Sequence, residues 1–138
     1  MVHVGVSGVA REVNLEQQSF NNGYTSLDVS KCTPQNNCCI PGAKDCLQSL
    51  LDMNQVCQDI NSSGFEVFSC VSQDPGCYLC GFTYFTSLSI DRTRSAFIHV
   101  PVLNQPYTAE QLAKAISLAI KSMLSQIRVK EQSNTIEA

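Results

Sequence analysis

Residues 2–8, VHVGVSG, form an apolar, β-branched run that stops at a Ser-Gly pair. Such a run reads as a strand, and its lack of apolar–polar alternation reads as cover on both faces, the setting of a central strand. Cover on two faces calls for helices. DMNQVCQDINSSG predicts a short one, with Asp52 capping its start, Gly64 at its end, and Met53, Val56, Cys57 and Ile60 along one side. YTAEQLAKAISLAIKSMLSQIRVK predicts the clearest one. Thr108 and Gln111 form a capping box there, and Leu112, Ile116, Ala119, Ile120, Met123, Leu124 and Ile127 share a face. FEVFSCV, 65–71, predicts a second strand, and SAFIHVPVL a third, ended by Pro101. After the turn SQDPG, a further helix is expected from about Cys80 to Leu88. Strands alternating with helices predict an α/β fold with a largely parallel sheet. Three strands and two or three helices are too few to cover the first strand, so the chain reads as part of a larger α/β domain.

Residues 9–46 show little helical period, and NNGY, 21–24, is a turn signal. KCTPQNNCCIPGAKDC is loop-like, and an irregular stretch of that length is expected to be functional or mobile. The last residues, 129–138, are expected to form a flexible tail behind a domain spanning 1–128.

Bulk properties narrow the classes. In 138 residues, 43% hydrophobic and 15% charged, there is enough apolar material for one domain with a core. The net charge of −3 and the absence of a Lys/Arg cluster argue against nucleic acid as a partner. No run approaches a membrane span, and MVHVGVSGVA lacks the basic and long apolar regions of a signal peptide. A cytosolic protein is expected, and its eight cysteines are expected to be free thiols rather than a disulfide framework.

Few residues are suited to chemistry. His3, at the start of a strand, reads as structural. His99 lies at the C-terminal end of a strand, where α/β sheets place their sites. Cys80 follows a strand and a Pro-Gly turn and opens a helix, whose dipole is expected to lower its thiol pKa. Cys77 and Cys80 have C-x-x-C spacing, which also admits redox chemistry. However, the pair follows the second recognisable strand, whereas thioredoxin-like motifs follow the first. Zinc would need more ligands at suitable spacing; Cys38 and Cys39 are adjacent and no second C-x-x-C exists. Neither a metal nor a cofactor is expected. Glu16, taken alone, is a loop carboxylate. The pattern by itself stops at a Cys–His site.

HVGVSG, VNLEQQSFNNGY, SQDPGCYLCGFTYFTSL and RSAFIHVPVLNQPYTAEQL, in this order, closely resemble the pyroglutamyl peptidase I (pyrrolidone-carboxylate peptidase) family, the likeness extending to about residue 128. The resemblance implies a three-layer α/β/α sandwich. It also implies a cysteine-type omega-peptidase that removes an N-terminal 5-oxoprolyl residue from peptides, with Cys80 as nucleophile, His99 as base and Glu16 as the residue orienting the imidazole. Cys77 then stands beside the nucleophile without a role. The family's front portion, with its Gly-Phe-x-Pro-Phe turn, has no counterpart here, so the chain reads as N-terminally truncated and its substrate-binding residues stay unassigned. Gly81 replaces the Asn or Asp common after the nucleophile, Asp28-Val29 replaces Asp-Asn, Thr25-Ser26 stand where many relatives have a basic residue, and Pro75 and Cys77 alter the preceding turn. The competing expectation is a catalytically silent relative that serves as an interaction module or is a non-functional isoform.

Overall fold

The computed structural model describes residues 1–136. Six strands, three α-helices and one short 3-10 turn follow one another along the chain: β1 (Val2–Val6), β2 (Val13–Glu16), β3 (Gln18–Phe20), β4 (Cys46–Gln48), α1 (Met53–Asn61), β5 (Ser69–Ser72), α2 (Leu79–Ile90), β6 (Ala96–Val100) and α3 (Ala109–Ile136), with the 3-10 turn (Gln35–Asn37) between β3 and β4. Four strands make the main sheet in the order β1-β6-β2-β5. The β1–β6 and β2–β5 ladders are parallel and β2–β6 is antiparallel, so the sheet is mostly parallel. β3 and β4 form a separate antiparallel pair.

The sheet is the middle of three layers. Val13 and Leu15 of β2 and Ala96, Ile98 and Val100 of β6 pack into one cluster with Met53, Val56 and Ile60 of α1 and with Leu112, Ala115, Ala119 and Met123 of α3. On the opposite face Phe97 packs with Tyr84 and Leu88 of α2. Alternation along β2 and β6 therefore serves both layers, since neighbouring residues in a strand point to opposite faces.

The helix signals act as read. Asp52 accepts hydrogen bonds from the N–H groups of Asn54 and Gln55, 2.9 and 3.2 Å. The capping box is reciprocal: Gln111 N–H donates to Thr108 Oγ1, and Thr108 N–H donates to Gln111 Oε1. α3 continues through Ile136, beyond the residue 128 boundary, and its last two turns carry exposed side chains. Its later part is tied back by Lys130 Nζ on the Leu50 carbonyl and by an Arg94–Glu131 ion pair.

Three expectations need correction. β1 is an edge strand of the described sheet rather than a central one, and Val4 and Val6 are exposed on it. α1 and α3 cover β2, β6 and part of β5, and of β1 only Val2 packs against that core, so an apolar pattern that would suit double cover lies at a rim. The second strand is Ser69–Ser72 rather than 65–71, because Glu66 takes a left-handed backbone conformation, φ 57°, which breaks any extended run. Finally, VNLE is a strand, not loop: β2 lies between β6 and β5, at the centre of the sheet. Its signal is weak because it is only four residues long, with a charge at its end.

Candidate functional site

Glu16 and His99 meet under α2. In the β2–β6 ladder Glu16 stands opposite Phe97, and Asn14 opposite His99. Glu16 and His99 are thus diagonal neighbours on one face, a separation that long side chains on adjacent strands can bridge. His99 Nδ1 lies 2.8 Å from Glu16 Oε1, with both residues buried. A carboxylate can only accept, so Nδ1 carries the hydrogen, and in the neutral ring Nε2 keeps its lone pair. The Glu16 backbone is fixed as well, because the Tyr84 hydroxyl donates to its carbonyl at 2.8 Å. The second carboxylate oxygen, Oε2, is buried without a partner among the described residues.

Cys80 reaches the same face from α2. Tyr78 is the N-cap and Leu79 the first helical residue, so Cys80 lies in the first turn. The first N–H groups of a helix have no intrahelical acceptor, and Tyr78 supplies no side-chain cap. The sulfur packs against the Tyr84–Leu88–Phe97 cluster. It sits directly over Gly5 of β1, where a Cβ would come within 3.1 Å of Sγ and 3.0 Å of the Phe97 ring. Gly5 is the ladder partner of His99, and paired residues in a parallel ladder share a face. The sulfur therefore lies one strand across from the imidazole. The Phe97 ring stands 4.8 Å from that of His99, centroid to centroid. The three residues singled out in the sequence come to one side of the sheet from β2, α2 and β6.

The thiol's electrostatics depart from expectation. Burial raises the Cys80 pKa, and the negative charge of Glu16 raises it further; a hydrogen bond from its own backbone N–H opposes both. Desolvation and a carboxylate on the same face outweigh the helix terminus that was expected to lower it. The resting group is a neutral thiol, which needs a base at the moment of attack.

The remaining candidates fall outside this group. His3 Nε2 is 2.7 Å from Ser87 Oγ and its ring stacks near Phe97, a satisfied structural histidine. Cys77 is exposed, with its sulfur directed at the Asn22 carbonyl, 3.9 Å away. All eight cysteines are free thiols. Among the described residues no three His, Cys, Asp or Glu side chains are grouped to hold a metal ion, and no helix is long and apolar enough to cross a membrane.

The altered turn before Cys80 has a structural counterpart in Gly81. Gly76 takes φ +82°, and its carbonyl oxygen would lie 2.1 Å from a Cβ on Gly81. The turn SQDPG thus presses its backbone into the space a side chain at 81 would fill, while Ser19 Oγ holds the Gly81 carbonyl at 2.7 Å. Gly5, Phe97 and Tyr84 went unnoticed in the sequence, and Gly81 was noted only as a departure from the family pattern. The one available signal was a glycine inside a β-branched run, which marks a close approach. A hollow of about 900 Å³ opens beside Cys80, walled by Tyr24, Leu27, Val29, Tyr78, Leu79 and Phe82 among others. Neither His99 nor Glu16 lines it.

No protein-family profile matches the chain. Curated sequences do. Over 131 residues, 95% of this chain, it is 44% identical to pyroglutamyl-peptidase 1 of Rattus norvegicus and, equally, to that of Homo sapiens. It is 35% identical over 127 residues to the pyroglutamyl-peptidase 1-like protein of Homo sapiens. The match spans 63% of the length of the first two relatives and 64% of the third. Among solved structures, pyrrolidone carboxyl peptidase from Thermococcus litoralis superposes with a TM-score of 0.82 at 19% identity, covering 94% of this chain and 67% of that one. Pyroglutamyl peptidase I from Bacillus amyloliquefaciens gives 0.76 at 19% identity, covering 88% and 64%. The structural likeness shows the shared α/β/α fold.

Proposed function

We propose that this chain, a relative of the pyroglutamyl-peptidase 1 sequences, is a cysteine-type omega-peptidase that removes an N-terminal 5-oxoprolyl residue from peptides. The observation that carries the reading is the buried Glu16–His99 pair, 2.8 Å apart, on the face where the Cys80 sulfur rests over Gly5. A hydrogen bond from Nδ1 to Glu16 leaves His99 Nε2 free as a base and stabilises the cation that forms. Nε2 takes the Cys80 proton as the sulfur attacks the 5-oxoprolyl carbonyl. The C–S bond forms, and negative charge gathers on oxygen near the uncapped N–H groups of the first turn of α2. The C–N bond then breaks, and the proton held on Nε2 passes to the departing amine. Water, deprotonated by the same nitrogen, releases 5-oxoproline and restores the thiol.

The raised thiol pKa fits this sequence of steps. A neutral thiol beside a base keeps its proton until substrate arrives, so attack and proton transfer are coupled. We place the protein in the cytosol, since eight free thiols persist in a reducing compartment. The net charge of −3 gives no footprint for nucleic acid.

Hydrolysis of 5-oxoprolyl-7-amino-4-methylcoumarin by the purified chain tests the reading. Fluorophore release is expected for the native chain and not for Cys80→Ala. Release at the same rate by both would refute it.

A further inference from the structure

Cys77 takes no part in the peptidase steps, yet the backbone sets it opposite Cys80. The Gly76 carbonyl oxygen would stand 2.1 Å from a Cβ on Gly81, so the chain leaves and returns through one narrow neck. Cys77 follows Gly76 and Cys80 precedes Gly81. Each of their α-carbons is thus one step, about 3.8 Å, from that neck. Both residues border the same hollow. The neck is firm on one side, where Gly76 N–H donates to Asp74 Oδ1 at 2.8 Å. The tip of the loop is free: Tyr78 and Leu79 are 72% and 81% exposed, and the Tyr78 side chain makes no cap bond. The tip can contract without giving up buried contacts.

The two thiols differ in access. Cys77 is exposed, and the contact of its sulfur with the Asn22 carbonyl, 3.9 Å, is too long to hold it. Cys80 is partly buried over Gly5 and Phe97. Cys38 and Cys39 are engaged elsewhere, with Cys38 Sγ 3.3 Å from the Gln35 carbonyl and Cys39 Sγ 3.1 Å from Thr86 Oγ1. Disulfides span α-carbon separations of about 4.4–6.8 Å, and a short loop costs little chain entropy to close. We propose that Cys77 and Cys80 form a reversible disulfide under hydrogen peroxide, which withdraws the Cys80 thiol from chemistry. The Cys77 thiolate attacks the peroxide and the O–O bond breaks. One oxygen stays on sulfur as the sulfenic acid, and the other leaves as water. Cys80 then gives its proton to His99 Nε2 and attacks the Cys77 sulfur. The S–S bond forms, the S–O bond breaks, and the departing hydroxide takes that proton as a second water. Two thiols are oxidised for one peroxide reduced, and a dithiol reverses the bond by exchange. In a reducing compartment such a disulfide is transient and redox-sensing. That the bond also silences hydrolysis rests on Cys80 being the nucleophile, as in the function proposed above.

The test treats the reduced 138-residue chain with hydrogen peroxide, blocks free thiols with iodoacetamide, and maps unreduced peptides by mass spectrometry. After cleavage between Tyr78 and Leu79, the two halves are expected to stay joined through Cys77 and Cys80. Alkylation of Cys80 is expected to fall about tenfold or more with peroxide and to return to within about twofold of its start with dithiothreitol. Coumarin release is expected to fall and return in step. In Cys77→Ser, and equally in Cys77→Ala, the same dose is expected to leave Cys80 alkylation within about twofold of untreated, since the exposed thiol that reacts first is gone. Cys32→Ser removes the other exposed thiol at the hollow and is expected to form the bond as the native chain does. Cys80 joined to a different cysteine, or its alkylation lost as fast in both Cys77 variants as in the native chain, would overturn the pair. If the bond forms but the reduced chain cleaves no coumarin, the disulfide stands and the peptidase reading falls. If the coumarin is cleaved and Cys77 and Cys80 stay apart, the disulfide falls and the peptidase reading stands.

Discussion

Along β2 and β6, every second residue packs under α1 and α3, and the residues between them lie under α2. The first set is Val13, Leu15, Ala96, Ile98 and Val100, joined by helix side chains into an apolar core of fifteen buried residues. The second set includes Glu16, Phe97 and His99, and the apolar cluster on that side has three buried members. One pair of strands thus supplies two environments that differ in what they can tolerate. The α1/α3 face gains free energy from burial and loses it whenever volume is removed. The α2 face accepts a buried carboxylate with one orphan oxygen, which costs stability, and holds a thiol that burial keeps in its neutral form. Such costs are the usual mark of a site held for chemistry.

The comparison is broken most sharply by one substitution on each face. Cys80→Ala is expected to lower kcat/KM by about 10⁴-fold or more, about 5.5 kcal/mol of transition-state stabilisation, while the urea midpoint barely moves. Ile98→Ala, on the neighbouring strand and the other face, is expected to cost about 2–5 kcal/mol in unfolding free energy. Its kcat per folded molecule is expected to stay within about twofold of native, because no atom of Ile98 reaches the α2 face. Unfolding titrations and coumarin assays on both variants check the pair. A Cys80→Ala protein that unfolds as early as Ile98→Ala would remove the division of labour.

Glu16→Gln sharpens it next. The amide can donate to His99 Nδ1 and so leave the proton on Nε2, the wrong tautomer for a base. We expect kcat to fall about 10²- to 10⁴-fold with KM little changed. Stability is expected to hold or rise, since a buried charge is removed at constant shape. Loss of stability together with activity would make Glu16 a structural residue.

How much of this could be read beforehand depended on the length of the signal. α3 carried a capping box and a long apolar face, and both box hydrogen bonds are present. Cys80 and His99 were singled out through their places at a helix start and a strand end. Glu16 came only from the family resemblance, because β2 is four residues long and its partners, β5 and β6, lie more than fifty residues away along the chain. The hollow is formed by loop 25–34 meeting the start of α2, a contact without periodicity and so without a sequence signature. β1 is an edge strand among the described residues although its apolar content suits cover on both faces, because apolar content reports what a strand can bury, not which neighbours this stretch of chain supplies.

Gly81→Ala and Gly8→Ala form a smaller, signed contrast. Alanine in a helix ordinarily stabilises by about 0.5–1 kcal/mol over glycine. At 81 that gain is opposed by the Gly76 carbonyl oxygen, 2.1 Å from the new Cβ and part of the backbone, so the turn must shift. The clash prevails, and Gly81→Ala is expected to destabilise by about 1–3 kcal/mol and to lower the iodoacetamide alkylation rate or kcat at Cys80 through the displaced helix start. Gly8 has nothing within 4 Å of its Cβ position, and Gly8→Ala is expected to stay within about 0.5 kcal/mol of native. A stabilised Gly81→Ala protein would show that the turn yields freely and does not set the nucleophile.

The smallest effect separates the faces by pH. Cys70 on β5 donates to Asn14 Oδ1, on the α2 side, and its pKa is pushed up to about 12, chiefly by burial and then by Glu12. Cys39, Cys46 and Cys80, around α2 and β4, are also raised by burial. A thiol whose pKa is raised by folding holds its proton more tightly in the native state, so it adds stability below the ordinary thiol pKa of about 8.5. That contribution is lost as pH rises from there toward the folded value. The urea midpoint is therefore expected to fall between pH 8 and pH 10, and Cys70→Ala should flatten the slope. Substitutions under α1 and α3, such as Ile98→Ala, should shift the whole curve and leave the slope alone, since that cluster's buried residues include no thiol. A slope that persists undiminished in Cys70→Ala would move the titrating group elsewhere on the α2 face, with Cys80 next to be replaced.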